Sequence, residues 1–189
     1  MTGMLDDNEV SLEELAKRSQ DGDQSAFEFL VHRLQTRITL FLYRMVGSMD
    51  IAADLAQDSF IKAYKNIHRY DSSYAFSTWL FTIAKRTALN HFRSSRPTVE
   101  FQEYIEREER HPRSQLESKD ETHKLWNLAK RTLKPIQFEA LWLRYGEDFT
   151  IEETAEIMKT NQIRVRVLVH RARHALMHQL GENKPGKKE

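Results

Sequence analysis

The side chains whose types and spacing most clearly suggest binding lie in two stretches that contain no acidic residue, residues 72–99 and 159–180. In the first stretch bases and aromatics are interleaved: Tyr74, Phe76, Trp79, Phe81, Lys85, Arg86, Phe92, Arg93 and Arg96. Basic charge neutralises phosphates and aromatic faces stack on unpaired bases, so this combination favours binding of single-stranded or melted DNA. The alternative is that the aromatics are core residues and the bases form a solvated face.

The second acid-free stretch follows a short capped helix and a brief turn, which is the layout of a helix-turn-helix motif with the basic helix second. Its bases are Lys159, Arg164, Arg166, Arg171 and Arg173. At about 100° per residue, one side of the predicted helix collects Val165, Val169, Ala172, Leu176 and Leu180. The opposite half carries Arg164, Val167, Arg171 and His174. The pattern favours a DNA-reading helix, and the alternative is an amphipathic helix with a solvated basic face.

Other chemistry finds little support in the sequence. His170, His174 and His178 recur every four residues, but no carboxylate or cysteine completes a metal shell beside them. The chain has no cysteine, so it has no disulfide, thiolate metal site or cysteine nucleophile. We therefore predict no metal, no cofactor and no catalytic activity, which argues against the alternative of a histidine-dependent nuclease.

Composition indicates a folded protein whose charge is sorted locally. The chain has 189 residues, a formal net charge of +1, 40% hydrophobic residues and 30% charged residues. This is far from the composition of disordered chains, and a nucleic-acid surface must come from local charge and not from a bulk excess. The acidic start of the chain has no signal-peptide pattern, and no stretch has the apolar length of a membrane helix. We expect a cytoplasmic protein without membrane insertion.

Apolar residues at three- and four-residue spacing predict an all-α protein. In the first half, helices are expected over about 11–20, 23–47, 50–67 and 77–92. Ser11 with Glu14 forms a capping-box pattern, Asp23 can cap the second helix, and Gly47 can end it. The inner stripe of the third helix is predicted to be Ala53, Ala56, Phe60, Ala63 and Ile67.

In the second half, helices are expected over about 122–133, 135–145, 150–158 and 161–180, and the stretch before them is acidic and weakly periodic. The predicted architecture is two small helical domains, residues 21–97 and 122–181, joined by a flexible acidic linker, residues 98–121. The second domain is a helix-turn-helix domain similar to a winged helix without its wing. An acidic segment, residues 1–20, precedes the domains as a solvated face or a protein-binding or self-shielding segment, and a basic tail, residues 182–189, follows them.

Four motifs in this order resemble the extracytoplasmic-function group of bacterial sigma-70 factors, over about residues 21–180. The run from Asp54 to Tyr64, DLAQDSFIKAY, resembles the stretch of that family that binds the clamp of RNA polymerase. The runs FSTWL from Phe76 and IAKRTALN from Ile83 resemble its minus-ten element. LWLRY from Leu141, TIEETAEIM from Thr150 and VHRARHAL from Val169 resemble its minus-thirty-five domain.

The resemblance implies a promoter-specificity subunit that binds core RNA polymerase, recognises and melts promoter DNA, and has an anti-sigma factor as a further partner. For the polymerase clamp it implies Asp54, Gln57, Asp58, Phe60 and Ile61. For minus-ten DNA it implies Tyr74, Phe76, Ser77, Trp79, Lys85, Arg86, Asn90 and Arg93, with flipped bases in a loop around residues 73–77. For minus-thirty-five DNA it implies Gln162, Arg164, Arg166, Val167, His170, Arg171 and Arg173.

The turn and the second helix of the helix-turn-helix motif each depart from the family pattern. Lys159 stands where the turn of the helix-turn-helix usually has glycine, so the turn has another geometry or a strained left-handed residue. Val167 and Leu168 replace a familiar Ser-Arg pair, so we expect different or weaker minus-thirty-five contacts. A stand-alone helix-turn-helix regulator and a purely protein-binding helical module remain as alternative functions.

Overall fold

The computed structural model describes residues 10–95 and 121–182, and all regular structure in these two ranges is helical. The described residues divide into two compact units, one in each range. The predicted all-α fold with two helical domains is confirmed. The expected linker and basic tail lie outside the described residues, except that Glu121 and Glu182 belong to the neighbouring helices.

The first unit contains four α-helices whose ends follow the predicted signals. They are α1 (Leu12–Gln20), α2 (Gln24–Val46), α3 (Met49–Lys65) and α4 (Phe76–Ser95), with a 3-10 turn at Ile67–Arg69. Ser11 Oγ accepts from the Glu14 N–H at 3.1 Å, and Asp23 Oδ1 accepts from the Ala26 N–H at 3.1 Å. Gly47 ends α2 in the left-handed conformation, with φ 76°. Ser11 and Asp23 therefore cap the starts of α1 and α2, and Gly47 ends α2, as expected.

The core of the first unit lies along α2, which packs against the other three helices. Its buried apolar face comprises Phe27, Leu30, Leu34, Ile38, Phe41, Leu42 and Val46. Two sequence predictions are wrong here. The domain boundary after residue 20 separates α1 from the unit, whereas Leu15 and Ala16 of α1 are completely buried in it. Ala53 is exposed, and Ala52 takes its place on the inner stripe of α3.

The second unit contains α5 (Glu121–Thr132), α6 (Pro135–Tyr145), α7 (Ile151–Met158) and α8 (Gln162–Glu182). Pro135 occupies the first turn of α6, where its missing N–H costs nothing. Thr150 and Glu153 form the predicted capping box: Thr150 Oγ1 accepts from the Glu153 N–H, and Glu153 Oε2 accepts from the Thr150 N–H. Asn161 Oδ1 accepts from the Arg164 N–H at 2.8 Å and starts α8.

Helix α8 provides the buried stripe around which the second unit packs. Val165, Val169, Ala172 and Leu176 are buried, as predicted, against apolar residues of α5, α6 and α7. Leu180 was assigned to the same stripe, but 47% of its surface is exposed. The buried stripe therefore ends one turn earlier than predicted, and the last turn of α8 carries no core residue among those described.

The turn between α7 and α8 is closed by a left-handed lysine. Lys159 has φ 52° and ψ 52°. Its N–H donates to the Glu156 carbonyl at 3.1 Å, and the Thr160 N–H donates to the Ala155 carbonyl at 2.9 Å. This is the Schellman pattern that usually has glycine at the left-handed position. The sequence allowed either another turn geometry or a strained left-handed residue at position 159, and the structure has the strained left-handed residue.

The strain at Lys159 predicts a stabilising substitution. A left-handed conformation costs a non-glycine residue roughly 1–2 kcal/mol, so Lys159→Gly should raise the free energy of unfolding of the second unit by about 1 kcal/mol. The measurement is urea denaturation of the full chain in a Trp79→Phe background, where fluorescence reports only Trp126 and Trp142. Lys159→Ala is the control, because it removes the side-chain pair with Glu156 but keeps the Cβ. Equal effects of glycine and alanine would contradict the account.

Candidate functional site

A short loop between the 3-10 turn and α4 lies at the start of the first acid-free stretch and is exposed. Residues 71–74 are all exposed, and Tyr74 has 67% of its surface accessible. The Asp71 carbonyl accepts from the Tyr74 N–H at 3.1 Å, and Asp71 Oδ1 accepts from the Ser73 N–H at 2.9 Å. The Tyr70 hydroxyl donates to the Tyr74 carbonyl across the loop. The tip therefore has a defined backbone shape and open side chains.

Three aromatic rings join the two ends of this loop. Tyr70 contacts Phe76 edge to face at 5.3 Å, and Trp79 lies 5.4 Å from Tyr70 and 5.6 Å from Phe76, measured between ring centroids. Phe76 is completely buried, so its assignment as a DNA-contacting residue is wrong: its ring has no free face on which a base can stack. Trp79 and Ser77 are half-buried. Burial of Phe76 and Tyr70 fixes the base of the loop.

The surroundings of the loop shift the pKa values of two of its residues, Tyr70 and Asp71. Burial raises the pKa of Tyr70 to about 12, with further increases from the charges of Glu13 and Asp71. The hydrogen bonds from the Ser73 backbone and side chain lower the pKa of Asp71 below its ordinary value. At neutral pH Tyr70 is thus a neutral hydrogen-bond donor and Asp71 a charged acceptor. These are the states required for the hydrogen bonds to the Tyr74 carbonyl and from the Ser73 N–H.

Helix α4 carries an exposed basic stripe. Arg86, Asn90 and Arg93 are exposed, and their spacing of four and three residues places them within about 60° on one side of the helix. Lys85 is half-buried and lies about 100° from Arg86 around the helix. The stripe presents two positive charges and one amide, a set that suits a phosphate backbone and base edges.

Helix α3 presents a second exposed surface, which we call the α3 face. It consists of Asp54, Gln57, Asp58 and Ile61, at positions i, i+3, i+4 and i+7. Lys62 Nζ lies 3.0 Å from Asp58 Oδ2, and 44% of Ile61 is exposed. Phe60 was predicted to contact the same partner, but only 7% of its surface is exposed, so it is mainly a core residue.

An open apolar groove between α2 and α3 adjoins the α3 face. Phe27 and Tyr64 line it with their rings 4.9 Å apart, and Tyr64 is 47% exposed. Val31, Ala53 and Ile61 extend its apolar wall, while Gln57 and Lys65 lie at its polar side. Such a groove, rimmed by polar groups, is suited to the side chains of a partner helix.

Helix α8 has two different basic sides. Arg164, Val167, His170 and Arg171 are exposed opposite the buried stripe, and Val167 has 40% of its surface accessible. Arg166 and Arg173 lie on a flank: Arg166 is 3.4 Å from Gln162 Oε1, and Arg173 lines a hollow beside Trp126 and Tyr145. The side opposite the core is therefore the one that a recognition helix would direct into a DNA groove.

Family models match both units. Sigma-70 region 2 matches residues 30–98 and Sigma-70 region 4 matches residues 127–176. The RNA polymerase sigma-H factor of Pseudomonas aeruginosa is 34% identical over 177 residues, with 87% of this chain and 91% of that protein covered. The ECF sigma factor SigW of Bacillus subtilis is 31% identical, with 91% and 98% covered. The chain belongs to the extracytoplasmic-function group of the sigma-70 family.

As a sigma factor, the chain is a promoter-recognition subunit of RNA polymerase, and the alternative of a stand-alone regulator is not favoured, because both sigma regions are matched. Solved structures agree on the fold. CnrH, in complex with the cytosolic domain of CnrY, superposes with a TM-score of 0.65 at 20% identity, covering 91% of this chain and 98% of CnrH. RpoE of Bartonella quintana, in complex with the anti-sigma factor NepR, gives 0.62 at 22% identity, covering 84% and 98%. No helix in the described ranges is long and apolar enough to cross a membrane.

Sequence reasoning missed residues on which this sigma factor's loop depends. Gln20 and Glu13 of α1 contact the backbone at the two ends of the loop, and Tyr70 bridges it. Tyr64, which lines the groove between α2 and α3, was also not among the predicted site residues. The capping pattern of α1 predicted the helix but not its partners, because these contacts join positions 47 to 63 residues apart along the chain.

The raised pKa of Tyr70 predicts a loss of stability in alkaline solution. A tyrosine with a folded pKa of about 12 and an ordinary pKa of 10 contributes stability that is fully present below pH 10 and is lost as the pH rises through 12. The free-energy difference of unfolding between wild type and Tyr70→Phe should therefore shrink from pH 9 to pH 11.5. Urea denaturation followed by Trp79 fluorescence in a Trp126→Phe, Trp142→Phe background measures it. If the difference in the free energy of unfolding between wild type and Tyr70→Phe does not change with pH, the pKa of Tyr70 is not raised in the folded state.

Proposed function

We propose that this sigma factor divides promoter recognition between two described surfaces: the loop tip with the α4 stripe reads the minus-ten element, and α8 reads the minus-thirty-five element. The observation that carries the proposal is the loop tip itself. The side chains of residues 71–74 are exposed, whereas the rings of Tyr70 and Phe76 beside them pack against each other. A flipped base can therefore contact exposed side chains on a loop whose backbone shape is already defined.

Minus-ten recognition is assigned to Tyr74 and the stripe of Arg86, Asn90 and Arg93. Tyr74 has the exposed aromatic face that an unstacked base needs. Arg86 and Arg93 supply positive charge to the separated strand, and Asn90 supplies both a donor and an acceptor for a base edge. Ser77, Trp79 and Lys85 are half-buried and contribute from the base of the loop.

Core polymerase is assigned to the α3 face and the adjoining groove. The face combines two carboxylates, an amide and an exposed isoleucine, and the groove has an apolar wall. A helical partner with basic and apolar residues on one side complements this set. The clamp of RNA polymerase is the proposed partner, in agreement with the family resemblance of the sequence from Asp54 to Tyr64.

An anti-sigma factor is proposed as a second protein partner. CnrH is seen in complex with the cytosolic domain of CnrY and RpoE of Bartonella quintana with the anti-sigma factor NepR. Such a partner would control the sigma factor by covering the surfaces that core polymerase and DNA need, so its binding should exclude core polymerase.

Reversal of one charge on the α3 face tests the polymerase assignment. Asp58→Arg should reduce affinity for core polymerase about tenfold or more, because it places a like charge against a basic partner. Its local cost is small: the exposed pair with Lys62 contributes roughly 0.3–0.5 kcal/mol. The matched control is Asp21→Arg, the same charge change at the exposed C-cap of α1. Titration of fluorescently labelled chain with core polymerase measures both, and equal affinities for the two variants would remove the α3 face from the interface.

Substitutions on α8 test the minus-thirty-five assignment. Arg164→Ala should cost about 1–3 kcal/mol of DNA binding and relax the preference at one base position, if it contacts a guanine edge. Arg171→Ala should weaken all promoters equally and lower the salt dependence by about one unit. Val167→Ser should weaken promoters with thymine at the contacted position, since a valine methyl packs on the thymine methyl.

The measurement is a selection by holoenzyme from duplexes randomised at the minus-thirty-five element. Lys124→Ala is the matched control, since it also removes one positive charge from an exposed position, on α5 and outside the predicted DNA-contacting residues. It should return the wild-type motif. If Arg164→Ala, Arg171→Ala and Val167→Ser also return the wild-type motif at unchanged affinity, the face of α8 opposite the core is not the reading surface.

A further inference from the structure

Helix α1 lies against the first end of the minus-ten loop and binds its backbone. Gln20 Nε2 donates to the Ile67 carbonyl at 2.8 Å and to the Tyr70 carbonyl at 2.7 Å. Both amide hydrogens of one side chain are thus used on two carbonyls at the end of the 3-10 turn. This fixes the point where the chain enters the loop, because moving Tyr70 away from Ile67 would break one of the two bonds.

The same helix also binds the other end of the loop. Glu13 Oε1 accepts from the Phe76 N–H at 3.0 Å, the first N–H of α4. Such an N–H has no partner within its own helix, and a carboxylate there also interacts favourably with the helix dipole. The loop from Tyr70 to Phe76 is therefore held at entry and exit by one nine-residue helix.

Helix α1 is itself firmly attached to the first unit. Leu15 and Ala16 are completely buried, and the Ser11 side chain caps its start. At its other end, the Arg18 guanidinium donates to Asp23 Oδ2 at 2.8 and 3.0 Å, which ties α1 to the start of α2. Because α1 is anchored to the rest of the unit independently of the loop, Gln20 and Glu13 can hold the loop backbone in place.

We propose that Glu13 and Gln20 are positioning residues for minus-ten recognition: α1 presets the loop for DNA through contacts with its backbone. The proposal rests on the assignment of the loop to minus-ten DNA. A loop already held in its binding geometry loses less conformational freedom when it takes up a flipped base, and it accepts fewer wrong bases. The acidic segment at the start of the chain then promotes DNA reading through a carboxylate that touches no DNA.

The test compares side chains that lose these hydrogen bonds with one that keeps them. Gln20→Met retains the length of the side chain but has no donor, and Glu13→Ala has no acceptor. Glu13→Gln is the conservative variant, because its amide oxygen still accepts from the Phe76 N–H. Each full-length chain is assembled with core polymerase and used in a selection from promoters randomised at the minus-ten element, followed by binding of the wild-type-selected promoter.

We expect Gln20→Met and Glu13→Ala to select a looser minus-ten motif. Glu13→Ala should bind the wild-type-selected promoter about tenfold more weakly, the upper effect of a single net hydrogen bond, and Gln20→Met, which loses two hydrogen bonds, should bind it at least as weakly. Glu13→Gln should return the wild-type motif and affinity. Core binding and the minus-thirty-five motif should be unchanged in all three variants. A wild-type minus-ten motif at unchanged affinity in Gln20→Met and Glu13→Ala overturns the proposal.

Two further outcomes also decide against a positioning role. If core binding and minus-thirty-five selection fall together with minus-ten selection, α1 merely stabilises the unit. If Glu13→Gln behaves as Glu13→Ala, the hydrogen bond to Phe76 is not the cause. Tyr74→Ala, at the loop tip, separates this inference from the proposed function on which it rests: if Tyr74→Ala alone changes the motif, only the inference fails, and if Tyr74→Ala also leaves it unchanged, the assignment of the loop fails.

Discussion

The contact between the buried rings of Tyr70 and Phe76 is the interaction on which the proposed recognition surface of the first unit depends. Because the two rings close the base of the loop, four residues between them can remain exposed without the loop collapsing onto the core. The Tyr70 hydroxyl and the Asp71 carboxylate then satisfy polar backbone groups of the tip. If the loop reads DNA as proposed, stability and DNA reading are carried by different residues within one short segment.

In the second unit, a helix separates the residues that stabilise the fold from those that are exposed. Its stripe from Val165 to Leu176 is buried, which leaves the opposite side free to carry Arg164, Val167 and Arg171 without a stability requirement. The turn before it uses a left-handed lysine where glycine would cost less. The orientation of α8 relative to α7 follows from that turn and from Asn161, which caps the start of α8.

Local signals allowed most of the fold to be predicted. Capping residues such as Ser11, Asp23 and Asn161 act within one turn, so the sequence alone locates the helix starts. Tertiary partners were not predictable in this way. Phe76 looked like a DNA contact because periodicity does not tell a buried aromatic from an exposed one, and the roles of Glu13 and Gln20 depend on backbone groups of a distant loop. The residue assignments on α3, α4 and α8 remain predictions.

In vitro transcription from a promoter library tests the central claim most directly. Purified core polymerase is given the full-length chain and templates randomised upstream of a fixed transcribed region, and the initiated transcripts are sequenced with their promoters. The account predicts start sites preceded by one minus-ten and one minus-thirty-five motif at a constant spacing, which are absent with core polymerase alone. Initiation without a shared minus-ten motif, or none above the level of core polymerase alone, would contradict it.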